Sequence, residues 1–298
     1  MALTECNTTV DINGRELLEH GTQAFPMACY EDDFRVTDVP WHWHEEWEAV
    51  RITQGSCLVA AGNHKAVLHA GEGFFVHSGA LHGCWDTESS GCRFHSMVFH
   101  PRLVGGSLDS IFHQQYVQPL IEHTGPELIV LKPDVPWQKL ALEAIERAWQ
   151  DYVREQAGFP FLVRNALSEL IWLLHSNLSP GVSSIRSKDL RDAQRIKTML
   201  SCIHSHYGSE LTTADIAASA SVSESECLRC FRSTISTTPI QYLKQYRIQQ
   251  AVRQLTEGRD KISDIAVACG FQDMSYFSRV FREILGCTPS EYRRNASP

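Results

Sequence analysis

One block of this chain is written twice. Asp215-Ile-Ala-Ala-Ser-Ala-Ser-Val222 lines up with Asp264-Ile-Ala-Val-Ala-Cys-Gly-Phe271 at an offset of 49 residues. Leu228-Arg-Cys-Phe231 then matches Ser278-Arg-Val-Phe281 at an offset of 50, and Thr238-Pro239-x-x-Tyr242 matches Thr288-Pro289-x-x-Tyr292 at the same offset. The step places one extra residue in the second copy's turn. A repeat of this length means one supersecondary unit built twice. In each copy a short helix with a small residue (Ala217, Ala266) leads to a tight turn, Ser221-Val222 or Gly270-Phe271. A second helix follows, carrying Arg and Phe. The small residue lets the helices cross closely and the turn sets their angle, which is the helix-turn-helix plan. A long helix over about 240–255 separates the copies. Rigid spacing would let two recognition helices reach successive major grooves, roughly 34 Å apart. The plainer alternative is a helical bundle with a duplicated packing motif; the matching Thr-Pro-x-x-Tyr tails weigh against it.

Charge divides along the same line. The chain of 298 residues carries a net charge of −8, which argues at first against a nucleic-acid partner. Residues 1–187 hold 12 Lys+Arg and 23 Asp+Glu, a balance of −11; residues 188–298 hold 15 and 12, a balance of +3. Asymmetry of this kind hints at one nucleic-acid-facing domain. Hydrophobic residues at 43% and charged residues at 21% are ordinary globular usage, and no apolar run approaches the ~20 residues that span a bilayer. Ten scattered cysteines without a secretion signal read as free thiols in a reducing cytoplasm. Cys227-x-x-Cys230 has the spacing of half a zinc site, but the repeat aligns these positions with Phe277 and Val280, so both read as core.

The second copy, Ile265-Ala-x-x-x-Gly270-Phe271-x-Asp273-x-Ser275-Tyr276-Phe277-Ser278-Arg279-x-Phe281-Arg282 and on through Gly286-Cys-Thr-Pro-Ser-Glu-Tyr-Arg293, resembles the AraC/XylS family of transcription regulators over about residues 190–295. The resemblance implies recognition helices at about 223–233 and 273–284. It places the family's base contacts on Ser225 and Arg229 in the first unit and on Ser275 and Arg279 in the second. Arg bidentate to guanine is the commonest specific contact, which favours the two arginines. Arg232, Arg282, Arg247 and Lys244 read as phosphate contacts or solvated charge. Glu224 and Glu226 depart from this pattern: they repel phosphate, and either accept from cytosine N4 or mark a weak first unit.

The first hundred residues read as short strands punctuated by Gly55, Gly62-Asn63, Gly71, Gly73 and Gly79, with a hairpin at Gly62-Asn63. Helical patterns follow from Asp134 to about Gly158 and from Val163 to Leu174, placed either to cover the strands or to pair with a second subunit. His42-x-His44-x-x-x-Glu48, six residues and Gly55, then Gly71, five residues and His77-x-Gly79-x-x-His82, resemble the two metal motifs of the cupin barrel. His77 and Asp86 stand where that pattern has Pro and Asn. On a strand His42, His44 and Glu48 share one parity, and His82 joins from a neighbour. Three imidazoles and a carboxylate suit a divalent transition metal (Zn, Ni, Fe, Mn or Cu) with open positions. The alternative is that these groups hydrogen-bond an organic effector directly. Trp41, Trp43 and Trp47, of opposite parity, are expected outside the barrel.

The expected fold is therefore multidomain α+β. It has an N-terminal cupin β-barrel with two following helices (1–178), a linker (179–188), and an all-α domain with two helix-turn-helix units (189–298). The expected function is a cytoplasmic, sequence-specific regulator, not an enzyme. Its partners would be double-stranded promoter or operator DNA, a small-molecule effector or metal in the barrel, a second copy in a homodimer, and RNA polymerase; no membrane is involved. The rival is a metal-dependent cupin enzyme with a helical accessory domain.

Overall fold

A computed structural model describes residues 10, 14–34, 39–62, 64–87, 91–122, 126–178, 187–235, 237–257 and 260–296. They form two compact units that divide at Arg191/Asp192.

The first unit is two antiparallel sheets and a helical layer. One sheet runs β1 (Met27–Asp33), β8 (Arg93–Phe99), β3 (Trp47–Gln54), β6 (Gly73–Val76), β9 (Leu128–Leu131). The other runs β2 (Val39–His42), β7 (His82–Asp86), β4 (Ser56–Ala61), β5 (His64–His69). Ala61 pairs with His64, which is the hairpin expected at 62–63. Strand alternation separates two cores. Val50 and Ile52 of β3 meet Val59, Leu68 and Cys84 of the facing sheet. Trp47 and Ala49 turn the opposite way, under the helices. So Trp47 lies outside the space between the sheets, as its parity required.

The short turns α1 (Arg102–Gly105), His113–Val117 and α2 (Gln118–Ile121) lead to the two long helices. In α3 (Pro136–Arg154) the buried Ala141, Ala144, Ile145, Ala148, Trp149 and Tyr152 recur at helical spacing. In α4 (Phe159–Asn177) Val163, Leu167, Leu170, Ile171 and Leu174 do the same. Proline near each start supplies a preset φ where no backbone donor is needed. The α3 stripe packs on the five-stranded sheet and α4 packs against α3, in one core, and Trp149 Nε1 donates to the Tyr30 carbonyl at 3.1 Å.

The second unit is helical: α5 (Ser187–His206), α6 (Thr213–Ser219), α7 (Glu224–Thr234), α8 (Pro239–Glu257), α9 (Ile262–Ala268), α10 (Met274–Leu285) and α11 (Pro289–Ala296). The helix α5 starts two residues inside the expected linker, whose residues 179–186 lie outside those described. Among the described residues no helix is long and apolar enough to cross a membrane.

The repeat is visible bond by bond. The turn after α6 is closed by Val222 N–H donating to Ala217 O at 3.1 Å, and the turn after α9 by Phe271 N–H donating to Ala266 O at 2.9 Å. Ser223 and Asp273 cap the two second helices, accepting from Glu226 N–H and Tyr276 N–H. The Thr-Pro tails are capping boxes. Thr238 Oγ1 accepts from Gln241 N–H while Gln241 Oε1 accepts from Thr238 N–H, and Thr288 and Glu291 repeat the exchange. Cys227 and Cys230 are fully buried, like Phe277 and Val280 fifty residues on.

Candidate metal centre and nucleic-acid interface

The residues His42, His44, Glu48 and His82 come together, each offering one ligand atom within 4.8 Å of all the others. They do not share one strand face, as parity alone suggested. A bend at Glu45-Glu46 carries the chain from β2 to β3, in opposite sheets. Side chains pointing into the space between two sheets converge from both sides. His42 and His82 are direct cross-strand partners on β2 and β7. Glu48 reaches them from the facing sheet.

Backbone carbonyls fix all three imidazoles. His42 Nδ1 lies 2.9 Å from Pro40 O, His44 Nδ1 3.2 Å from Glu46 O, and His82 Nδ1 2.8 Å from Ala80 O. A carbonyl can only accept, so each Nδ1 carries a proton and each Nε2 faces the cluster, with its lone pair turned inward whenever the ring is neutral. This is the outer-shell arrangement that orients metal-binding histidines. The loop after β6 pins the His44 segment, Gly79 N–H donating to His44 O at 2.7 Å. Ser96 Oγ donates to Glu48 Oε1 at 2.9 Å and leaves Oε2 facing His82 Nε2 at 2.9 Å and His44 Nε2 at 3.9 Å.

The four side chains are buried, and His44 Nε2 and His82 Nε2 make no aligned hydrogen bond. Lone pairs packed against a carboxylate oxygen need either a proton or a cation between them. Burial and then the nearby His82 push the His42 pKa down to about 3. Burial alone would raise Glu48, but its contacts with His44 and His82 hold it well below the usual carboxylate range. His82 moves the other way: burial opposes its charge, and the Glu48 carboxylate outweighs that. The donor set fits a divalent ion bound by nitrogen and oxygen.

Two further buried groups adjoin the cluster without any motif to announce them. Glu16 Oε2 lies 3.1 Å from His20 Nε2 and 3.8 Å from His42 Nε2, and His20 Nδ1 lies 2.8 Å from the Tyr30 hydroxyl. Glu16 and His20 are four apart but not on a helix, so their spacing carried no signal. Of the other histidines, His64 and His69 are exposed, and His95 is structural, stacked on Trp149 at 3.6 Å.

In the helical unit, Ser225 and Arg232 on α7 and Ser275, Arg279 and Arg282 on α10 are exposed. Both second helices start and stop within a residue or two of the expected ranges. The Arg279 guanidinium sits 5.3 Å from the Tyr276 ring centroid, and no ion pair holds it among the described residues. Arg229 differs. Its Nε donates to Glu226 Oε2 at 2.9 Å, and its Nη2 donates to Glu226 Oε1 at 2.7 Å and to Asp192 Oδ2 at 2.8 Å. Arg195 of α5 closes the ring, 3.1 Å from Glu226 and 3.3 Å from Asp192. Glu226, read from sequence as a repulsive charge or a base acceptor, is thus spent within the protein. Asp192 and Arg195 could not be anticipated, because they lie outside the repeat.

A family model described as AraC-like ligand binding domain matches residues 25–224, and one described as helix-turn-helix domain matches residues 216–295. The chain is 30% identical over 293 residues to the uncharacterised HTH-type transcriptional regulator YdeC of Bacillus subtilis, covering 97% of this chain and 98% of that protein. It is 26% identical to the HTH-type transcriptional activator RhaS of Pectobacterium carotovorum, over 87% of this chain and 89% of the relative. The solved DNA-binding domain of AdpA, a global transcriptional factor, in complex with a target DNA is 28% identical over 34% of this chain and 90% of that one, with a TM-score of 0.32.

Proposed function

Because this chain belongs to the AraC family of transcription regulators, with a ligand-binding and a helix-turn-helix DNA-binding domain, we propose that it is a sequence-specific regulator whose operator binding responds to a divalent transition metal held by His42, His44, Glu48 and His82. The observation that supports this reading is the triple anchoring of Nδ1 on backbone carbonyls, which turns three Nε2 lone pairs and one carboxylate toward a single point. Groups that only hydrogen-bonded an organic effector would not need three imidazoles in the same tautomer. When bound, the ion supplies Lewis acidity and an open position for a small-molecule ligand. The chain's own part is to orient the imidazoles, neutralise charge through Glu48 and exclude bulk water.

On the DNA side, Arg279 with Ser275 reads bases, Arg282 and Arg232 contact phosphates, and Ser225 and Arg229 contribute from the first unit. The linker is placed at 179–186, because α5 begins at Ser187. A second copy covers the apolar residues Phe161, Leu162 and Trp172 that α4 leaves exposed. Ligand control requires that the metal favour one DNA-binding arrangement over another.

The test pairs metal content, by mass spectrometry on tag-free protein, with operator affinity before and after chelation. Near-stoichiometric metal that is lost in His42→Ala/His44→Ala, with operator affinity changing on chelation, supports the reading. Metal-free wild-type protein that stays metal-free after reconstitution overturns it in favour of an organic effector.

A further inference from the structure

The motif spacing contains one carboxylate, Glu48, and the structure brings up a second. Glu16 is 7% exposed, its carboxylate at the edge of the same buried space as His42 and His44. Its position is built rather than incidental. Arg15 forms a parallel bridge with Trp43, and Glu16 N–H donates to Trp43 O at 2.9 Å. Side chains alternate along such a pairing, so Arg15 falls with Trp43 and Glu16 falls with His42 and His44. On the outer side the Arg15 guanidinium lies 5.9 Å from the Trp43 ring and 3.2 Å from the Glu45 carboxylate. The inner and outer contacts together pin this segment against the strand that carries two of the imidazoles.

The contacts of Glu16 follow the same logic as those of the four residues already described. His20 Nδ1 is 2.8 Å from the Tyr30 hydroxyl; with that hydroxyl donating, the ring proton sits on Nε2 and points at Glu16 Oε2, 3.1 Å away. Tyr30 and His20 thus orient Glu16 as Ser96 orients Glu48. The same Oε2 faces His42 Nε2 at 3.8 Å but stands outside the four ligand atoms that lie within 4.8 Å of one another, so it reaches a shared ion by a shift of its side chain. That nitrogen cannot donate to it, because the His42 proton is committed to Pro40 O. The pair is two acceptors facing each other in a buried space, beside His44 Nε2 and His82 Nε2, which are buried without a hydrogen-bond partner.

Charge points the same way. A dication in a buried site is costly unless neutralised, and Glu48 returns only one negative charge. Glu16 returns the second, so a divalent ion with both carboxylates is electrically neutral.

We propose that Glu16 is a fifth protein donor to the metal site, making it a neutral set of three imidazoles and two carboxylates for a divalent ion. This rests on the metal reading above. Such a set favours ions that accept several oxygen and nitrogen donors over Cu(I), which prefers soft sulfur. Filling a further position with protein leaves less room for water, as suits sensing better than hydrolysis.

The probe is Co(II), added to full-length, tag-free, metal-depleted wild-type protein and to Glu16→Gln, with Glu48→Gln for comparison. Affinity and the visible d–d spectrum are read together. The expected result is a weak spectrum in wild type, as for a five- or six-coordinate ion. In Glu16→Gln the spectrum changes and affinity falls by at least about tenfold, while the melting temperature of the metal-free protein shows that the chain still folds. Glu16→Asp, too short to reach, gives the same readout should the amide disturb folding. Wild-type protein that binds no Co(II) sinks the metal reading itself. Wild-type protein that binds Co(II) with the intense spectrum of a tetrahedral ion overturns the fifth donor alone. So does a Glu16→Gln spectrum identical to wild type, whether or not affinity changes.

Discussion

Arg279 and Arg229 stand fifty residues apart at the same position of a duplicated unit, and their surroundings are opposite. Arg279 is exposed, resting against Tyr276. Arg229 is held by Glu226 on its own helix and by the buried Asp192 on α5. The turns differ as well. At the left-handed position the second unit has Gly270 at φ 79°, and the first has Ser221 at φ 54°. A side chain on Gly270 would meet Tyr207 O at 2.4 Å, so the second turn admits only glycine, whereas the first tolerates a residue that pays a steric cost. Duplication preserves the backbone plan, while a divergent position within the repeat (Glu226 against Tyr276) and Asp192 outside it decide what each copy's arginine is free to do. The second unit leaves its arginine exposed, and the first holds its arginine in an ion-pair network.

The sharpest way to break this contrast is Gly270→Ala. Left-handed strain and the close approach to Tyr207 together should cost about 2–4 kcal/mol of stability, read by thermal or denaturant unfolding. A loss below about 0.5 kcal/mol would mean the turn relaxes freely. Arg279→Ala comes next. It should weaken binding to a selected operator by about 1–3 kcal/mol and relax preference at one base pair, whereas Arg229→Ala should cost operator affinity less than about 1 kcal/mol. Equal losses measured by fluorescence anisotropy at fixed salt would erase the proposed division of labour. Ser221→Gly should stabilise by about 1 kcal/mol, the mirror of the first change. The smallest effect is expected for Asp192→Asn. Freeing one side of Arg229 should raise operator affinity only a few-fold, about 0.5–1 kcal/mol; unchanged affinity would show that Glu226 alone restrains the arginine.

The two halves of the chain differ in how much could be read before folding. The repeat, its caps and its core positions were legible because they are local. A Thr-Pro tail closes a capping box with a residue three positions on, and a buried Phe recurs at helical spacing. His42, His44, Glu48 and His82 were legible through a family spacing, yet a shared parity on one strand does not account for their convergence. The chain turns a corner at Glu45-Glu46, and Glu48 arrives from the opposite sheet. Ser96, Glu16 and Tyr30 left no trace in the spacing, since each is brought in by a pairing that spans tens of residues, and His20 joins only through its contacts with Glu16 and Tyr30.

The linear order of residues by itself determined the helix-turn-helix duplication, its turn and cap chemistry, and the identity of four candidate ligands. These depend on contacts within one or two turns of chain or on motifs at fixed spacing. Only the tertiary structure decided which histidine nitrogen faces inward, which carboxylates share the buried space, and which of two equivalent arginines is already engaged. The carbonyls that fix the imidazoles lie only two residues away along the chain and Glu226 three from Arg229, but the turns that aim them, and the arrival of Ser96, Glu16 and Asp192 from distant segments, are set by sheet pairing and helix packing.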